Sequence, residues 1–328
     1  MEYCAEFYGS SEGAFFDFDS ISKNRRLKFP MLPEKLSSKL PSATDLRIKP
    51  KQNGEVRILS ADIALMSSRK HNNDATAIFI NQMSPTKSGR YMNNIVYTQS
   101  AEGLRTEDQA LIIRKLFDEY DCDWLVLDTN GIGLGVYDCL ARDMVDPETG
   151  EIYPALSCYN DSAMAERCTV IGAPKVIWSI KASAQFNSDA AFLLREGFRS
   201  GRVRLPINEF EGEDLLKELR GWSSLNPPEQ LALKKVYIDT TLLVNELVNL
   251  QHEENGGKIK IFEKAGMRKD RYSSLAYNYY VAIQLENKMS KRQNASGSVS
   301  DMFVIKPPKT FNRKAVSRTY GGTRNRAW

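Results

Sequence analysis

Histidine and paired cysteines are nearly absent from this sequence. Among 328 residues there are two histidines, His71 and His252, and five cysteines, none of them in a C-x-x-C pair. Zinc sites in proteins are built mainly from Cys and His ligands, so a zinc site is not expected. An odd number of cysteines in a chain without an export signal predicts reduced thiols.

Long apolar runs are also missing. No stretch approaches the roughly 20 apolar residues that a membrane helix needs, and the first residues, MEYCAEFYGSSEGAFF, lack the basic start and apolar middle of a signal peptide. We therefore predict a cytoplasmic protein with no membrane association. The chain also lacks the GxxxxGK[ST] loop that cradles nucleotide phosphates, so we expect no ATP hydrolysis from it.

Charge is distributed unevenly. The chain is 42% apolar and 26% charged, as in a globular protein, with a net charge of +4. From residue 288 onward there are ten lysines or arginines and one acid, a net +9. We predict a linker or packed arm over residues 1–50, a domain over 51–288, and a flexible basic tail over 289–328. The tail suits a polyanion or an acidic partner, or it merely aids solubility.

The hydrophobic pattern predicts an α/β fold. Strands are expected at 56–65, 75–80 and 93–102, followed by a helix that opens at Thr106 with the capping-box pattern Thr106-x-x-Gln109. The stretch DWLVLD, residues 123–128, then has the composition of a strand buried on both faces. A strand reached through a helix in this way forms a parallel crossover. We therefore predict a mixed central sheet, antiparallel in its first three strands, with helices on its faces.

The rest of the pattern is mostly helical. The expected elements are a helix over 131–144, a strand within 153–160, helices over 182–197, 212–222 and 240–247, a hairpin turning at Asn255-Gly256-Gly257, and a last helix from 271 to about 288.

Four aspartates are candidates for one acidic site. Asp62 lies within the first strand, Asp128 ends DWLVLD, and Asp270 precedes the last helix. A hairpin pivoting near Ser68 would place Asp74 opposite Asp62. Oxygen ligands without His or Cys favour Mg²⁺ or Mn²⁺. Two such ions about 4 Å apart support hydrolysis of a phosphodiester, and the glycines after Asp128 would let a backbone approach metal and phosphate.

Three of these aspartates, and the neighbouring His71, also have a simpler interpretation. Asp128 would begin a turn in which the glycines of TNGIGLG supply positive φ. Asp270 would be an N-cap, Asp74 a turn residue, and His71 an exposed loop histidine. The GIGLG stretch lacks the GxGxxG spacing, which disfavours a dinucleotide-binding fold.

Four motifs in order resemble one protein family. EYCAEFYGSSEGAFF, LSADIAL with DATA downstream, VLDTNGIGLGVYDCL, and GGKIKIFEKAGMRKDRYSSLAYNYYVA resemble the C-terminal half of large terminase subunits of tailed bacteriophages. The resemblance implies an RNase H-like endonuclease that cuts concatemeric viral double-stranded DNA during genome packaging in the infected bacterial host, with two Mg²⁺ or Mn²⁺ ions. Carried over by position, its metal-binding acids fall on Asp62, Asp128 and Asp270, with Asp74 auxiliary.

The chain departs from the family pattern in two places. Many members read Ser-Pro-Asp before the last helix, with another acid three residues on, whereas here Arg268-Lys269 precede Asp270 and Ser273 fills the later place. Members also carry an N-terminal packaging ATPase, which this chain lacks. The resemblance therefore implies a nuclease half whose partners are the terminase ATPase half, the small terminase subunit and the portal protein.

The leading hypothesis is a two-metal endonuclease in which Asp62 bridges both ions, Asp128 and Asp270 each hold one, and Asp74 supports the second. Phosphate contacts are expected from the basic residues near these acids, although taken singly they are ordinary solvated charges: Arg69, Lys70, Lys258, Lys260, Lys264, Arg268 and Lys269. Two alternatives stay open. One is a docking module for DNA, portal, capsid or motor that does not cut, and the other is an RNase H-like resolvase or integrase.

Overall fold

A computed structural model describes residues 14–64, 75–264 and 267–296. Its strands are β1 Arg25–Leu27, β2 Val56–Asp62, β3 Thr76–Pro85, β4 Tyr91–Ala101, β5 Trp124–Asp128, β6 Met144–Val145, β7 Ile152–Tyr153, β8 Ser157–Cys158, β9 Lys175–Ile180, β10 Val203–Pro206, β11 Gln251–Asn255 and β12 Lys258–Phe262. Its helices are α1 Phe18–Ser22, α2 Glu34–Ser37, α3 Thr106–Glu119, α4 Ile132–Leu140, α5 Ser162–Ala165, α6 Ala184–Arg199, α7 Glu209–Lys217, α8 Pro227–Asn249 and α9 Asp270–Ser296. Short 3₁₀ turns lie at Thr44–Leu46 and Trp222–Ser224.

The central sheet has eight strands in the order β1-β10-β4-β3-β2-β5-β9-β8. β2, β3 and β4 form an antiparallel meander, after which α3 carries the chain to β5 on the other side of β2. β5 runs parallel to β2, and β9 runs parallel to β5. This order confirms the predicted RNase H-like mixed sheet, and the hairpin β11–β12 before the last helix is confirmed as well.

Both faces of the sheet are covered, because alternate residues of each central strand enter two different cores. Leu59 and Leu125 belong to the core beneath α3 and α4, whereas Ile58 and Val126 belong to the core beneath α6 and α9. Successive side chains of a strand point to opposite faces, so a strand buried on both sides must be apolar at nearly every position. That requirement accounts for the composition of DWLVLD.

Several predicted elements differ from the structure. The expectation of a capping box at Thr106 is wrong, since Arg105 is the N-cap and Gln109 turns inward to accept a bond from Thr76 at 2.6 Å. The observed capping box is at Asn226 and Glu229, where α8 begins well before the predicted residue 240. Residues 153–160 divide between β7 and β8, and β9 was not predicted.

The N-terminal segment packs against the rest of the molecule. β1 pairs with β10 at the edge of the central sheet, and Ala14 bridges to Gln251 at the base of the hairpin. Residues of this segment therefore contact the central sheet and the hairpin, while the predicted linker or arm over 1–50 and the other domain boundaries remain predictions. α9 continues past residue 288 to Ser296, and the rest of the predicted tail lies outside the described residues. In the described part of the chain, no helix is both long enough and apolar enough to cross a membrane.

Candidate functional site

Asp62 and Asp128 end two neighbouring parallel strands. Ala61 of β2 pairs with Leu127 of β5, so the next position of each strand carries an aspartate. Side chains at matching positions of adjacent strands point to the same face, and such strands are about 4.8 Å apart. By alternation from Ile58 and Val126, both carboxylates lie on the face covered by α6 and α9.

Asp270 reaches the same edge of the sheet from the last helix. It is the first residue of α9, and its Oδ2 accepts a hydrogen bond from the backbone amide of Ala75 at 2.9 Å. Ala75 directly precedes β3, in which Ala77 lies opposite Asp62. The interpretation of Asp270 as an N-cap is wrong, because it lies within the helix and Glu246 accepts the amide of Tyr272 in the first turn.

Asp62 lies within electrostatic range of both Asp270 and Asp128. Burial raises the pKa of Asp62 well above its usual value, and the charges of Asp270 and then Asp128 raise it further. Hydrogen bonds from the Ser273 hydroxyl and the Ile63 amide oppose these effects. Burial also raises the pKa of Asp128, although the Asn130 amide donates to its carboxylate at 2.9 Å.

Ser273 and Tyr277 complete the surroundings of the acids. The Ser273 hydroxyl donates to Asp62. Tyr277 lies one turn further along α9. Its pKa is raised by burial, by Asp62 and by Asp128, and its hydroxyl donates to Asn187 at 3.2 Å. Tyr277 was not a candidate from sequence, although its i, i+4 spacing from Ser273 placed both on one helix face.

The glycines after Asp128 bring a helix against the strand end. Gly131 is the N-cap of α4 and has φ +58°, which confirms the expected positive φ. At Gly133 an added Cβ would lie 1.7 Å from the carbonyl oxygen of Asp128, a distance that no side chain tolerates. The approach of this backbone to a metal or phosphate remains a prediction.

The predicted pairing of Asp62 with Asp74 is wrong. In the observed register Asp62 lies opposite Ala77, and Ala61 lies opposite Ile78. A hairpin loop of unknown length leaves the register open, and each one-residue slip exchanges the two faces. Asp74 itself lies outside the described residues, as do Arg69, Lys70 and His71.

A cavity adjoins the acidic residues. It has a volume of about 570 Å³ and lies between the hairpin β11–β12, the start of α6 and the start of α9. Ser273 and Tyr277 line it, together with three of the predicted DNA-contacting residues: Lys258, Lys260 and Lys269. Three lysines thus line the same cavity as two of the side chains near Asp62.

The lysines and arginines of this region are only partly neutralised. Lys260 pairs with Glu253 at 3.2 Å and Lys269 with Glu263 at 2.7 Å. Arg268 pairs with Glu102 at 2.6 Å, and Lys264 lies on the connection to α9. Lys258 and Lys260 are exposed to solvent.

No family model matches the chain, and no curated protein matches its sequence. Its structure is similar to that of the large terminase nuclease from thermophilic phage G20c with bound magnesium, with a TM-score of 0.43 and 13% identity over 82% of this chain and 98% of that one. The chain is similar to phage large terminase nucleases.

Two further solved structures belong to the same kind of protein. The HK97 bacteriophage large terminase gives a TM-score of 0.41 and 12% identity, covering 81% of this chain and 43% of that one. The nuclease domain of the large terminase subunit of bacterial virus Sf6 with manganese gives 0.37 and 11%, covering 82% and 98%. All three are large terminase proteins, the family that the four sequence motifs resemble.

The donor set suits a hard divalent cation. Asp62, Asp128 and Asp270 offer carboxylate oxygens only, which are the ligands that Mg²⁺ and Mn²⁺ prefer. Within the described ranges, no three Asp, Glu, His or Cys side chains stand close enough together to enclose a single ion. Asp62, Asp128 and Asp270 nevertheless all approach the same edge of the sheet, Asp62 and Asp128 from neighbouring strand ends and Asp270 from the start of α9.

Proposed function

We propose that this chain is a metal-dependent DNA endonuclease that cleaves concatemeric viral double-stranded DNA during genome packaging. The observation that carries the proposal is the register that places the half-buried Asp62 beside Asp128 at the ends of two parallel strands, where the charges of Asp270 and Asp128 act on it. Carboxylates gathered away from water either take up protons or hold cations. Divalent ions bound to oxygen ligands neutralise such a cluster at neutral pH.

The four aspartates would bind two metal ions. Asp62 would bridge both ions, while Asp128 would complete one site and Asp270 the other, with Asp74 supporting the second. When bound, two Mg²⁺ or Mn²⁺ ions would supply an activated water and stabilise the leaving oxygen of the phosphodiester. Ser273 contributes by donating to the ionised form of Asp62, which keeps that carboxylate available and oriented.

The cavity offers a path for the DNA strand. Lys258, Lys260 and Lys269 line it within reach of the residues around Asp62, so phosphates would be held beside the acids. Phosphate contacts fix the position of the duplex and make binding salt-dependent, but they carry no sequence information. The terminase ATPase half, the small subunit and the portal protein are the proposed partners.

A plasmid assay tests the proposal. Supercoiled plasmid would be incubated with the protein in Mg²⁺, Mn²⁺ or EDTA, alongside Asp62→Asn. A matched control is Asp45→Asn, which removes an exposed carboxylate that pairs only loosely with Lys49, at 3.4 Å. We expect nicking with the metal ions, none in EDTA, none from Asp62→Asn, and full activity from Asp45→Asn. Full activity from Asp62→Asn would overturn the mechanism.

The absence of a three-acid cage among the described residues favours one other candidate, a DNA-docking module that does not cut. This candidate predicts plasmid binding that EDTA leaves unchanged, without nicking in any metal. Branched DNA added to the same assay tests the resolvase type, since such an enzyme would cut it in preference to plain duplex.

A further inference from the structure

A buried ionic network from α8 holds the first turn of α9. The Arg271 Nη1 atom donates to Glu246 Oε1 at 2.7 Å, and its Nη2 atom lies 3.6 Å from Asp239 Oδ1. The backbone amide of Tyr272 donates to Glu246 Oε2 at 3.1 Å. All three side chains are buried: Arg271 and Glu246 are 8% exposed and Asp239 is 2% exposed.

Glu246 does for α9 what an N-cap residue does for most helices. The first amides of a helix have no partner within it, and a carboxylate that accepts one also meets the positive end of the helix dipole. Here the carboxylate comes from another helix. Asp239 extends the network by accepting the amide of Ser100 in β4 at 3.2 Å.

Asp270 lies directly before these anchored residues. Its carboxylate is bound by the Ala75 amide on one side, while Arg271 and Tyr272 are bound by Glu246 on the other. A rotation of the first turn of α9 would carry Asp270 away from the sheet edge and break the Glu246 contacts together. The orientation of the acid is thus coupled to the α8 carboxylate.

Stability alone is a weak reason for such a network. Buried ion pairs gain little over well-packed apolar residues, because desolvation offsets their attraction. Arg271 also leaves its Nε atom without a hydrogen-bond partner in the described structure. We propose that Glu246 is a positioning residue, which sets the first turn of α9 so that Asp270 faces Asp62. This inference rests on the proposed function.

A second buried pair provides a matched control. Glu55 Oε1 lies 2.7 Å from Arg57 Nε, with both side chains 1% exposed. Arg57 lies near the start of β2, at the opposite end of the strand from Asp62. Glu55→Gln and Glu246→Gln therefore make the same chemical change in two buried pairs, but only Glu246 contacts the first turn of α9.

The test measures Mn²⁺ affinity by titration calorimetry for five proteins. They are wild type, the three single variants Glu246→Gln, Glu55→Gln and Asp270→Asn, and the Glu246→Gln/Asp270→Asn double variant. Melting temperatures in EDTA report stability. We expect both glutamine variants to melt lower, but only Glu246→Gln to bind Mn²⁺ more weakly, by about tenfold, as is typical of residues that orient ligands. The double variant should bind no more weakly than Asp270→Asn alone, since both changes act on one ligand.

The outcomes separate the two proposals. A wild type that neither binds Mn²⁺ nor nicks plasmid overturns the proposed function and the positioning role with it. A wild type that binds Mn²⁺, with Glu246→Gln equal to Glu55→Gln in affinity, overturns the positioning role alone. If Glu246→Gln does not fold, Glu246→Asp takes its place, because it shortens the reach to Tyr272 by one methylene, with the same expected and overturning results.

Discussion

The carboxylate of Asp270 accepts a hydrogen bond from the amide of Ala75, 2.9 Å away and separated from it by 195 positions of sequence. This bond joins the start of the last helix to the strand that lies opposite Asp62. The acidic site is therefore complete only when α9 has packed on the sheet. Changes that loosen the first turn of α9 should act on the site before they act on the fold.

The charge of Asp62 should destabilise the metal-free protein. Its folded-state pKa is raised by burial and by Asp270 and Asp128. The folded protein therefore holds this proton to higher pH than the unfolded chain, and stability is lost as pH rises through the raised pKa. In EDTA at neutral pH, the Asp62→Asn protein should melt a few degrees higher than wild type. A gain of about 1 kcal/mol in the free energy of unfolding raises the melting temperature by roughly 2–4 °C. Below pH 3.8, the ordinary value for Asp, the difference should vanish.

Asp146 provides a control of opposite sign. Hydrogen bonds from Lys115 and Thr149 lower its pKa to about 2, so its stabilising effect is present above the usual Asp value and is lost as pH falls towards 2. Asp146→Asn should therefore melt lower than wild type at neutral pH and approach it in acid. Thermal melts from pH 2 to 8 check both variants. An Asp62→Asn protein that melts lower than wild type at neutral pH would contradict the account.

Ser273→Ala should shift metal binding to higher pH. The Ser273 hydroxyl donates to the ionised form of Asp62 and so lowers the pKa of that carboxyl. Without this bond Asp62 keeps its proton to higher pH, and a protonated carboxyl is a poor metal ligand. The Mn²⁺-induced rise in melting temperature, measured across pH, should have its midpoint at higher pH than in wild type.

The neighbouring serine is the control for this change. Ser274 hydrogen-bonds the hydroxyl of Ser60 at 3.0 Å and is fully buried. Ser274→Ala should lower stability in EDTA while leaving the pH midpoint of the Mn²⁺ effect in place. Equal midpoints for the two variants would show that Ser273 has no special relation to Asp62.

Gly133→Ala should disturb the end of β5. Its Cβ would lie 1.7 Å from the carbonyl oxygen of Asp128, so the backbone must move. Overpacking of this kind lowers the free energy of unfolding by about 1–3 kcal/mol or more. Replacing glycine by alanine inside a helix otherwise raises it by about 1 kcal/mol. Gly135→Ala is the control, because its Cβ would meet only the side chain of Thr106, at 3.1 Å. Chemical denaturation should rank Gly133→Ala well below Gly135→Ala; the reverse order would refute the placement of α4.

Replacing Lys258 and Lys260 by alanine should weaken duplex DNA binding. If each lysine meets one phosphate, the double variant should reduce the slope of log K against log salt by about two. Lys217→Ala/Lys234→Ala is the control, since both of these lysines pair with Glu213 away from the cavity. Fluorescence anisotropy at several salt concentrations gives the slopes. If the slope of log K against log salt were the same for both double variants, the cavity lysines would not contact the DNA.

The neighbouring positions of Asp62 and Asp128 could be predicted from sequence. A strand that is apolar on both faces and follows a helix has few places in a sheet other than beside an existing strand. The hairpin could be predicted too, because Gly256 and Gly257 both take positive φ, as Asn-Gly-Gly indicates. In these places the local pattern alone determines the structure.

Other parts of the site depend on contacts that no local pattern records. The register of β2 against β3 is set by side-chain packing on both faces, so counting back from a supposed turn paired Asp62 with the wrong residue. Glu246 lies in the last turn of α8 with nothing in the adjacent sequence to distinguish it, and only the packing of α8 on α9 brings it to Tyr272. Tyr277 meets Asn187 in the same way, through tertiary packing.

The most direct measurement is manganese anomalous scattering from crystals of this protein grown or soaked in MnCl₂. The account predicts anomalous peaks within coordination distance of the Asp62 carboxylate, one shared with Asp128 and the other with Asp270. Fully ordered Asp62, Asp128 and Asp270 side chains with no anomalous peak beside them, at millimolar Mn²⁺ and neutral pH, would contradict it.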